Sequence, residues 1–181
     1  MADEITYKIA LLGDGGSGKT SWVHRIIRSE FEKRYLATLG VEVSPIVLNT
    51  NEGKFNLSVW DISGQDKYSN LKDGFCQNTD AAIIFFDTTS KLSFRNIKFW
   101  IDSFLEISPN AKIVVVGNKV DIRERKVSFS VIKQALPNIT YFDISVKSNY
   151  NFEKPLVAVL RKITGVCNLN IVEEEEIISK L

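Results

Sequence analysis

The residues GDGGSGKT, numbers 13–20, fit the pattern G-x-x-x-x-G-K-[ST] between a strand-like run, YKIALLG, and a predicted helix that begins at Gly18. In such a glycine-rich loop the backbone wraps around phosphate with its N–H groups turned inward, and the helix start adds a positive dipole end. The lysine reaches phosphate oxygens and the threonine hydroxyl reaches Mg²⁺. A chance glycine-rich turn is the alternative, and the strand–loop–helix context argues against it. The predicted phosphate-binding residues are Gly13, Gly15, Gly16, Ser17, Gly18, Lys19, Thr20 and Ser21.

The second polar stretch is DISGQ, which ends another predicted strand about forty residues further on. Asp61 can reach Mg²⁺ through water, the N–H of Gly64 can bind a terminal phosphate, and Gln65 can orient an attacking water. The pattern is weak by itself, because many strands end in polar loops. Ser63 leaves two readings open, a small silent residue or a hydroxyl that engages the phosphate.

The third stretch is GNKVD, which follows the apolar strand IVVV. The carboxylate of Asp121 can accept the N1–H and the N2 amino group of guanine, whereas adenine offers no matching donors. A site that hydrogen-bonds its ligand in this way rejects a base that leaves buried polar groups unpaired. Asn118 and Lys119 can brace the loops and cover the base.

The fourth stretch, ISVKS, follows a further strand, so it lies at the same edge of the sheet, where open α/β sheets bind ligands. It adds Ser145, Val146 and Lys147 to the predicted nucleotide contacts. Four segments are thereby predicted to meet around one ligand.

Strand-like apolar runs alternate with amphipathic helices, which predicts a three-layer α/β fold. Residues 42–48 and the strand from Phe55 are joined by NTNEG and are predicted to pair antiparallel. Thr89 or Ser90 is expected to cap a helix that ends before Pro109, and the last helix has Pro155 in its first turn and Gly165 past its end. The core stripe predicted for the first of these helices comprises Leu92, Ile97, Trp100, Ile101 and Phe104.

Composition excludes several classes of protein. The 181 residues carry a net charge of +1 and two cysteines, which favours neither direct nucleic-acid binding nor a disulfide framework. The ends of the chain show no lipidation motif, so we expect no lipid anchor. The charged run at 123–126 is expected to be a solvated loop.

The motifs GDGGSGKT, DISGQ, NKVD and SVK, in this order over about residues 7 to 165, resemble those of the Ras superfamily of small GTPases. The resemblance implies a P-loop NTPase fold: a six-stranded, mostly parallel sheet with one antiparallel edge strand and about five helices. It implies a GTPase that binds GTP or GDP with Mg²⁺ and hydrolyses GTP slowly as a switch. The runs SEFEKRYLATLGVEVSP and YFDISVKSNYNFEKP are similar to the Ran branch, the GTPases of nuclear transport.

The resemblance also implies roles for the segment EFEKRYLAT, the first switch of the family. Phe31 would stack on guanine, Tyr35 would lie near the γ-phosphate and help Gln65 in catalysis, and Thr38 would bind Mg²⁺ in the GTP state. The implied metal ligands are therefore Thr20, Thr38 and Asp61. Val146 departs from the family's alanine, although that contact is made through the backbone.

The implied partners are an exchange factor, a GTPase-activating protein and importin- or exportin-type receptors, acting on a monomer in nucleus and cytoplasm. The predicted organisation is a GTPase domain over residues 1–165 and a short acidic tail over 166–181. Lys133 stands alone where the Ran branch has a basic cluster, which weakens the assignment of particular partners. A Rab-type trafficking GTPase and a module that holds nucleotide without cycling remain alternatives.

Overall fold

The computed structural model describes residues 5–28, 37–64 and 71–172. Six strands occur in these ranges and form one sheet in the order β2-β3-β1-β4-β5-β6. The strands are β1 (Thr6–Gly13), β2 (Val41–Thr50), β3 (Gly53–Ile62), β4 (Ala81–Asp87), β5 (Lys112–Asn118) and β6 (Thr140–Asp143).

The sheet is parallel except at one edge. β2 and β3 form the predicted antiparallel hairpin, with Val41 opposite Ile62 and Thr50 opposite Gly53. β1 runs parallel to both β3 and β4, and the chain continues parallel through β5 to β6. The carboxyl ends of five strands therefore share one edge, which is where ligands bind in open α/β sheets.

The described helices are α1 (Lys19–Arg28), α2 (Leu71–Cys76), α3 (Lys91–Arg95), α4 (Ile97–Ile107), α5 (Phe129–Ala135) and α6 (Lys154–Thr164). α3 and α4 follow one another directly and are separated only by Asn96, so the pair counts as one interrupted helix. With that count the fold matches the predicted six-stranded sheet with about five helices, and the predicted fold class is confirmed.

Local sequence explains the helix ends. The Ser90 hydroxyl accepts a hydrogen bond from Ser93 N at 3.2 Å and caps α3, as predicted. Pro155 lies in the first turn of α6, and Gly165 ends that helix at φ 77°, a conformation that favours glycine.

Leu92 was expected in the core, and that prediction is wrong, since the residue is 66% exposed. The inward position of short α3 is taken by Ser93, whose hydroxyl accepts a hydrogen bond from Asp87 N at 3.1 Å. The apolar stripe begins only beyond Asn96, where Ile97, Trp100, Ile101 and Phe104 are buried as predicted.

Both faces of the sheet are buried, and β4 shows how one strand serves both. Alternate residues Ile83 and Phe85 pack on the side covered by α1 and α6, while Ile84 and Phe86 pack under α4. A parallel strand covered on both faces reads as a continuous apolar run, which is why AAIIFFD lacks polar alternation. No helix in the described parts of the chain is long and apolar enough to cross a bilayer.

The chain after α6 packs on the β2–β3 hairpin as far as residue 172. Leu169 is fully buried, and Ile171 forms an antiparallel bridge with Thr50. Asn51 and Asn170 exchange hydrogen bonds of 3.1 Å and 2.7 Å. The predicted boundary at residue 165 coincides with the end of α6 and stays a prediction, and the acidic run at 173–176 lies outside the described residues.

Truncation of Leu169 tests whether this segment belongs to the folded body. We expect Leu169→Ala to lower the free energy of unfolding by about 2–5 kcal/mol, because it removes a buried side chain and leaves a cavity. Urea denaturation followed by circular dichroism measures the change. Leu92→Ala, at an exposed position, is the matched control and should change stability by less than about 0.5 kcal/mol. Equal stability of the Leu169→Ala variant and the parent would contradict the packing.

Candidate functional site

The glycine-rich loop, residues 13–20, connects the carboxyl end of β1 to the start of α1. Gly13 has φ 128°, and a Cβ there would lie 2.1 Å from the carbonyl oxygen of Phe85. Gly18 has φ 101°, and its Cβ would lie 2.2 Å from Asn118 Nδ2. Both positions require glycine because neighbouring strands and loops press directly on the backbone.

Lys19 directs its ammonium group into this loop. The residue is only 5% exposed, and its Nζ donates to the carbonyl oxygens of Gly13 at 2.8 Å and Asp14 at 3.2 Å. Burial lowers the pKa of Lys19 to about 8, although Asp61 and Asp14 favour its charged form. A buried cation with two neutral acceptors can gain strongly from an anion.

A second polar atom in the loop is Ser17 Oγ. It is buried and makes no hydrogen bond within the described residues. Such an orphaned hydroxyl is uncommon in a folded protein and marks functional sites more often than ordinary cores.

Oxygen atoms from three segments meet beside Lys19. The Thr20 and Thr38 hydroxyls lie 2.8 Å apart, and the Thr20 hydroxyl also donates to Asp61 Oδ2. Asp61 is 2% exposed, and burial raises the pKa of its carboxyl group. Its other oxygen, Oδ1, is buried without a hydrogen-bond partner in the described chain.

This donor set fits Mg²⁺, which prefers oxygen ligands and is held by one or two carboxylates with water or phosphate completing its coordination. The fit rests on the orphaned oxygen of Asp61 beside two hydroxyls. A bound cation would give that oxygen a partner and would favour the ionised carboxylate.

The start of the loop after β3 lies directly on the glycine-rich loop. A Cβ on Gly64 would come within 2.3 Å of Gly15 N and 2.5 Å of the Gly13 carbonyl oxygen, so only glycine allows this approach. Ser63 is buried, and its backbone N–H donates to the carbonyl oxygen of Gly40 at 2.8 Å. The predicted residues Phe31, Tyr35 and Gln65 lie outside the described residues.

Asn118 joins the two halves of the site. Its Nδ2 donates to the carbonyl oxygen of Ser17 at 2.9 Å, while its Oδ1 accepts from Lys119 N at 2.7 Å and from Val146 N at 3.2 Å. One buried amide therefore fixes the end of β5, the glycine-rich loop and the loop after β6.

The carboxylate of Asp121 is held by its neighbours. Its Oδ1 accepts a hydrogen bond from the Ser145 hydroxyl at 2.7 Å, and Ser145 Oγ in turn accepts from Ser148 N at 3.0 Å. Lys147 Nζ lies 3.9 Å from Asp121 Oδ2. The structure thus brings residues 118–121 and 145–147 together, as the sequence predicted.

Lys119 is braced by a residue that sequence reasoning did not include in the site. Its backbone adopts φ 69°, and its Nζ lies 2.6 Å from Asp87 Oδ2 at the end of β4. Burial alone would raise the pKa of Asp87, but hydrogen bonds from Lys119 and Thr89 outweigh burial and lower it. Asp87 is therefore an ionised support for the lysine side chain.

A second missed group lies behind the same loops. Arg125 donates two hydrogen bonds to Asp143, at 2.7 Å and 2.9 Å, and the Tyr141 hydroxyl donates to the same carboxylate. These bonds to Asp143 raise the pKa of Arg125, and burial raises the pKa of Tyr141. The expectation that the whole run at 123–126 is solvated is wrong for Arg125, whose side chain is 26% exposed.

The arrangement is an elongated site. A buried ammonium and a helix start lie at one end, an oxygen cluster suited to a cation lies beside them, and a carboxylate fixed by a serine lies at the other end. A comparison with known protein families finds that the model described as the Ras family matches residues 8–165. The matched range spans every described residue of the site.

Gly117 provides a test of the group behind the loops. A Cβ at Gly117 would lie 2.2 Å from the Tyr141 hydroxyl oxygen, so we expect Gly117→Ala to destabilise the fold by about 1–3 kcal/mol. Tyr141→Phe loses one hydrogen bond to a carboxylate, which costs about 1–3 kcal/mol. The double variant should cost less than the sum, because the clashing oxygen is gone.

Thermal and urea unfolding of the four proteins give the coupling. Gly74→Ala on α2 is the matched control, since a Cβ there meets nothing within 4 Å. Strict additivity of the two substitutions, or a harmless Gly117→Ala, would refute the close contact.

Proposed function

The chain belongs to the Ras family and is a small GTPase, and on that premise we propose that it is a switch that binds GTP or GDP with Mg²⁺ and hydrolyses GTP slowly. One observation carries the proposal. The buried ammonium of Lys19, the oxygen cluster at Asp61 and the fixed carboxylate of Asp121 lie along one edge of the sheet.

The phosphates would lie in the glycine-rich loop. There the loop N–H groups, the start of α1 and Lys19 supply positive charge. Thr20, Thr38 and Asp61 would hold Mg²⁺. When bound, the cation neutralises charge on the phosphate oxygens.

The base would be read by Asp121. The hydrogen bond from Ser145 holds one of its oxygens, so the carboxylate is oriented before a ligand arrives. Guanine presents two donors to such a carboxylate and adenine presents none in the same places. Asn118, Lys119 and the backbone at 145–147 would frame the base.

Hydrolysis needs a water in line with the γ-phosphate. Gln65 would orient that water, with Tyr35 beside it, and the Gly64 N–H would bind the γ-phosphate. Thr38 and Gly64 would thereby hold the two switch segments in the GTP state, and loss of the phosphate would release them.

The same proposal extends to the Ran branch and to nuclear transport. It is supported by the runs SEFEKRYLATLGVEVSP and YFDISVKSNYNFEKP. The partners would be an exchange factor, a GTPase-activating protein and importin- or exportin-type receptors, and the protein would act as a monomer in nucleus and cytoplasm.

Base recognition is tested by Asp121→Asn. We expect the affinity for GDP to fall by about 100-fold or more and the affinity for xanthosine diphosphate to rise, because the amide can donate to the C2 oxygen of xanthine. Equilibrium binding by calorimetry measures both ligands. Asp102→Asn, an exposed carboxylate on α4, is the control and should bind GDP as the parent does. An Asp121→Asn variant with the parent's affinity for GDP would overturn the assignment.

The transport role is tested with Gln65→Leu, which should retain GTP because water is no longer oriented. We expect a purified importin-β-type receptor to bind the GTP-loaded variant at least tenfold more tightly than the GDP-loaded one, by surface plasmon resonance. Equal or absent binding in both states would reject the Ran assignment. Association of the GTP form with a membrane fraction would instead favour the Rab-type alternative.

A further inference from the structure

We propose that Asn96 and Trp100 are positioning residues that hold the glycine-rich loop through the side chain of Asp14. Asp14 Oδ2 accepts a hydrogen bond from Asn96 Nδ2 at 2.6 Å, and Asp14 Oδ1 accepts one from Trp100 Nε1 at 2.9 Å. The two donors are 82 and 86 residues away along the chain. We call these three residues the Asp14 clamp.

Asp14 connects the clamp directly to the phosphate-facing part of the loop. While its side chain is bound by the α3–α4 helix, its backbone carbonyl oxygen accepts from Lys19 Nζ at 3.2 Å and from Ser17 N at 3.3 Å. A change in the orientation of Asp14 therefore moves an acceptor of the buried lysine. The clamp controls where Lys19 lies without itself touching a ligand.

The helix shows a local cost that the clamp explains. Asn96 separates α3 from α4 and occupies the N-cap position of α4, yet its side chain makes no cap hydrogen bond. Asparagine is among the best N-cap residues, and here its amide binds Asp14 instead. Trp100 is fully buried one turn later on the same helix face, so its indole N–H requires an acceptor and finds it in Asp14.

Charge gives the clamp its purpose. A carboxylate in a loop that binds phosphates would repel them if it were free to turn towards the ligand. Two N–H donors on a rigid helix hold both oxygens of Asp14, and hydrogen bonds to an ionised group are stronger than neutral ones. The clamp therefore keeps an acidic side chain engaged elsewhere while the backbone of the same residue serves the site.

The first measurement needs no nucleotide. Hydrogen–deuterium exchange of peptides that cover residues 13–18 reports the order of the loop. We expect Trp100→Phe, which keeps the ring but removes its N–H, to raise exchange there by about tenfold, with no change in peptides covering 118–121 and 145–148. Trp60→Phe is the matched control, because it removes an indole hydrogen bond to Ser58 Oγ away from this loop.

The second measurement is dissociation of fluorescent GDP, and this readout rests on the proposed function. Trp100→Phe should release GDP about tenfold faster than the parent. Asn96→Asp should release it faster still, because two carboxylates then meet at the 2.6 Å contact. The exchanged pair D14N/N96D restores an amide–carboxylate hydrogen bond and should return to within about threefold of the parent. The preference for GDP over inosine diphosphate should stay unchanged, since the base is read elsewhere.

The outcomes separate the two proposals. A parent that fails to bind GDP rejects the proposed function, while exchange at residues 13–18 still decides the clamp. Parent-like exchange and release in Trp100→Phe, or no rescue by D14N/N96D, overturns the clamp even if GDP binds. Unfolding curves for all variants show which of them are folded, and Trp100→Phe carries the decision if Asn96→Asp does not fold.

Discussion

The side-chain amide of Asn118 uses both of its ends to hold three segments from distant parts of the chain. Its nitrogen binds the carbonyl oxygen of Ser17, and its oxygen binds the backbone N–H of Val146. The contact is close enough that Gly18 cannot carry a side chain, because a Cβ there would lie 2.2 Å from the amide nitrogen. The phosphate end and the base end of the site therefore cannot shift independently.

Several buried polar groups of the site are unfavourable within the protein alone. Burial lowers the pKa of Lys19 and raises that of Asp61, which means that both charged forms lose solvation. Ser17 Oγ and Asp61 Oδ1 are also buried without a hydrogen-bond partner in the described chain. A phosphate and a divalent cation would offset these costs together, so the site is complementary to a ligand at the expense of stability.

The sequence predicted the parts whose signal is local. The glycine-rich loop, the polar ends of the strands and the antiparallel hairpin each show a motif or periodicity within about ten residues. It did not predict the support of Lys119 by Asp87 or the pairing of Arg125 with Asp143. These contacts join residues 32 and 18 positions apart, and a charged side chain looks the same in sequence whether it is solvated or paired. Leu92 was misplaced because the break at Asn96 leaves a short first segment whose inward position is taken by Ser93.

The missed residues share a physical role. Each presents charge or N–H donors from a strand end, a helix or an adjoining loop to a residue beside the ligand-binding loops. The Asp14 clamp acts at the phosphate end, and Arg125 with Asp143 ties the chain that follows residue 121 to the end of β6 at the base end. Loop backbones have weak conformational preferences of their own, so their geometry must be imposed by such contacts. The motif residues determine which chemistry the site can perform, whereas the supporting residues determine how long a ligand stays in the geometry that the chemistry requires.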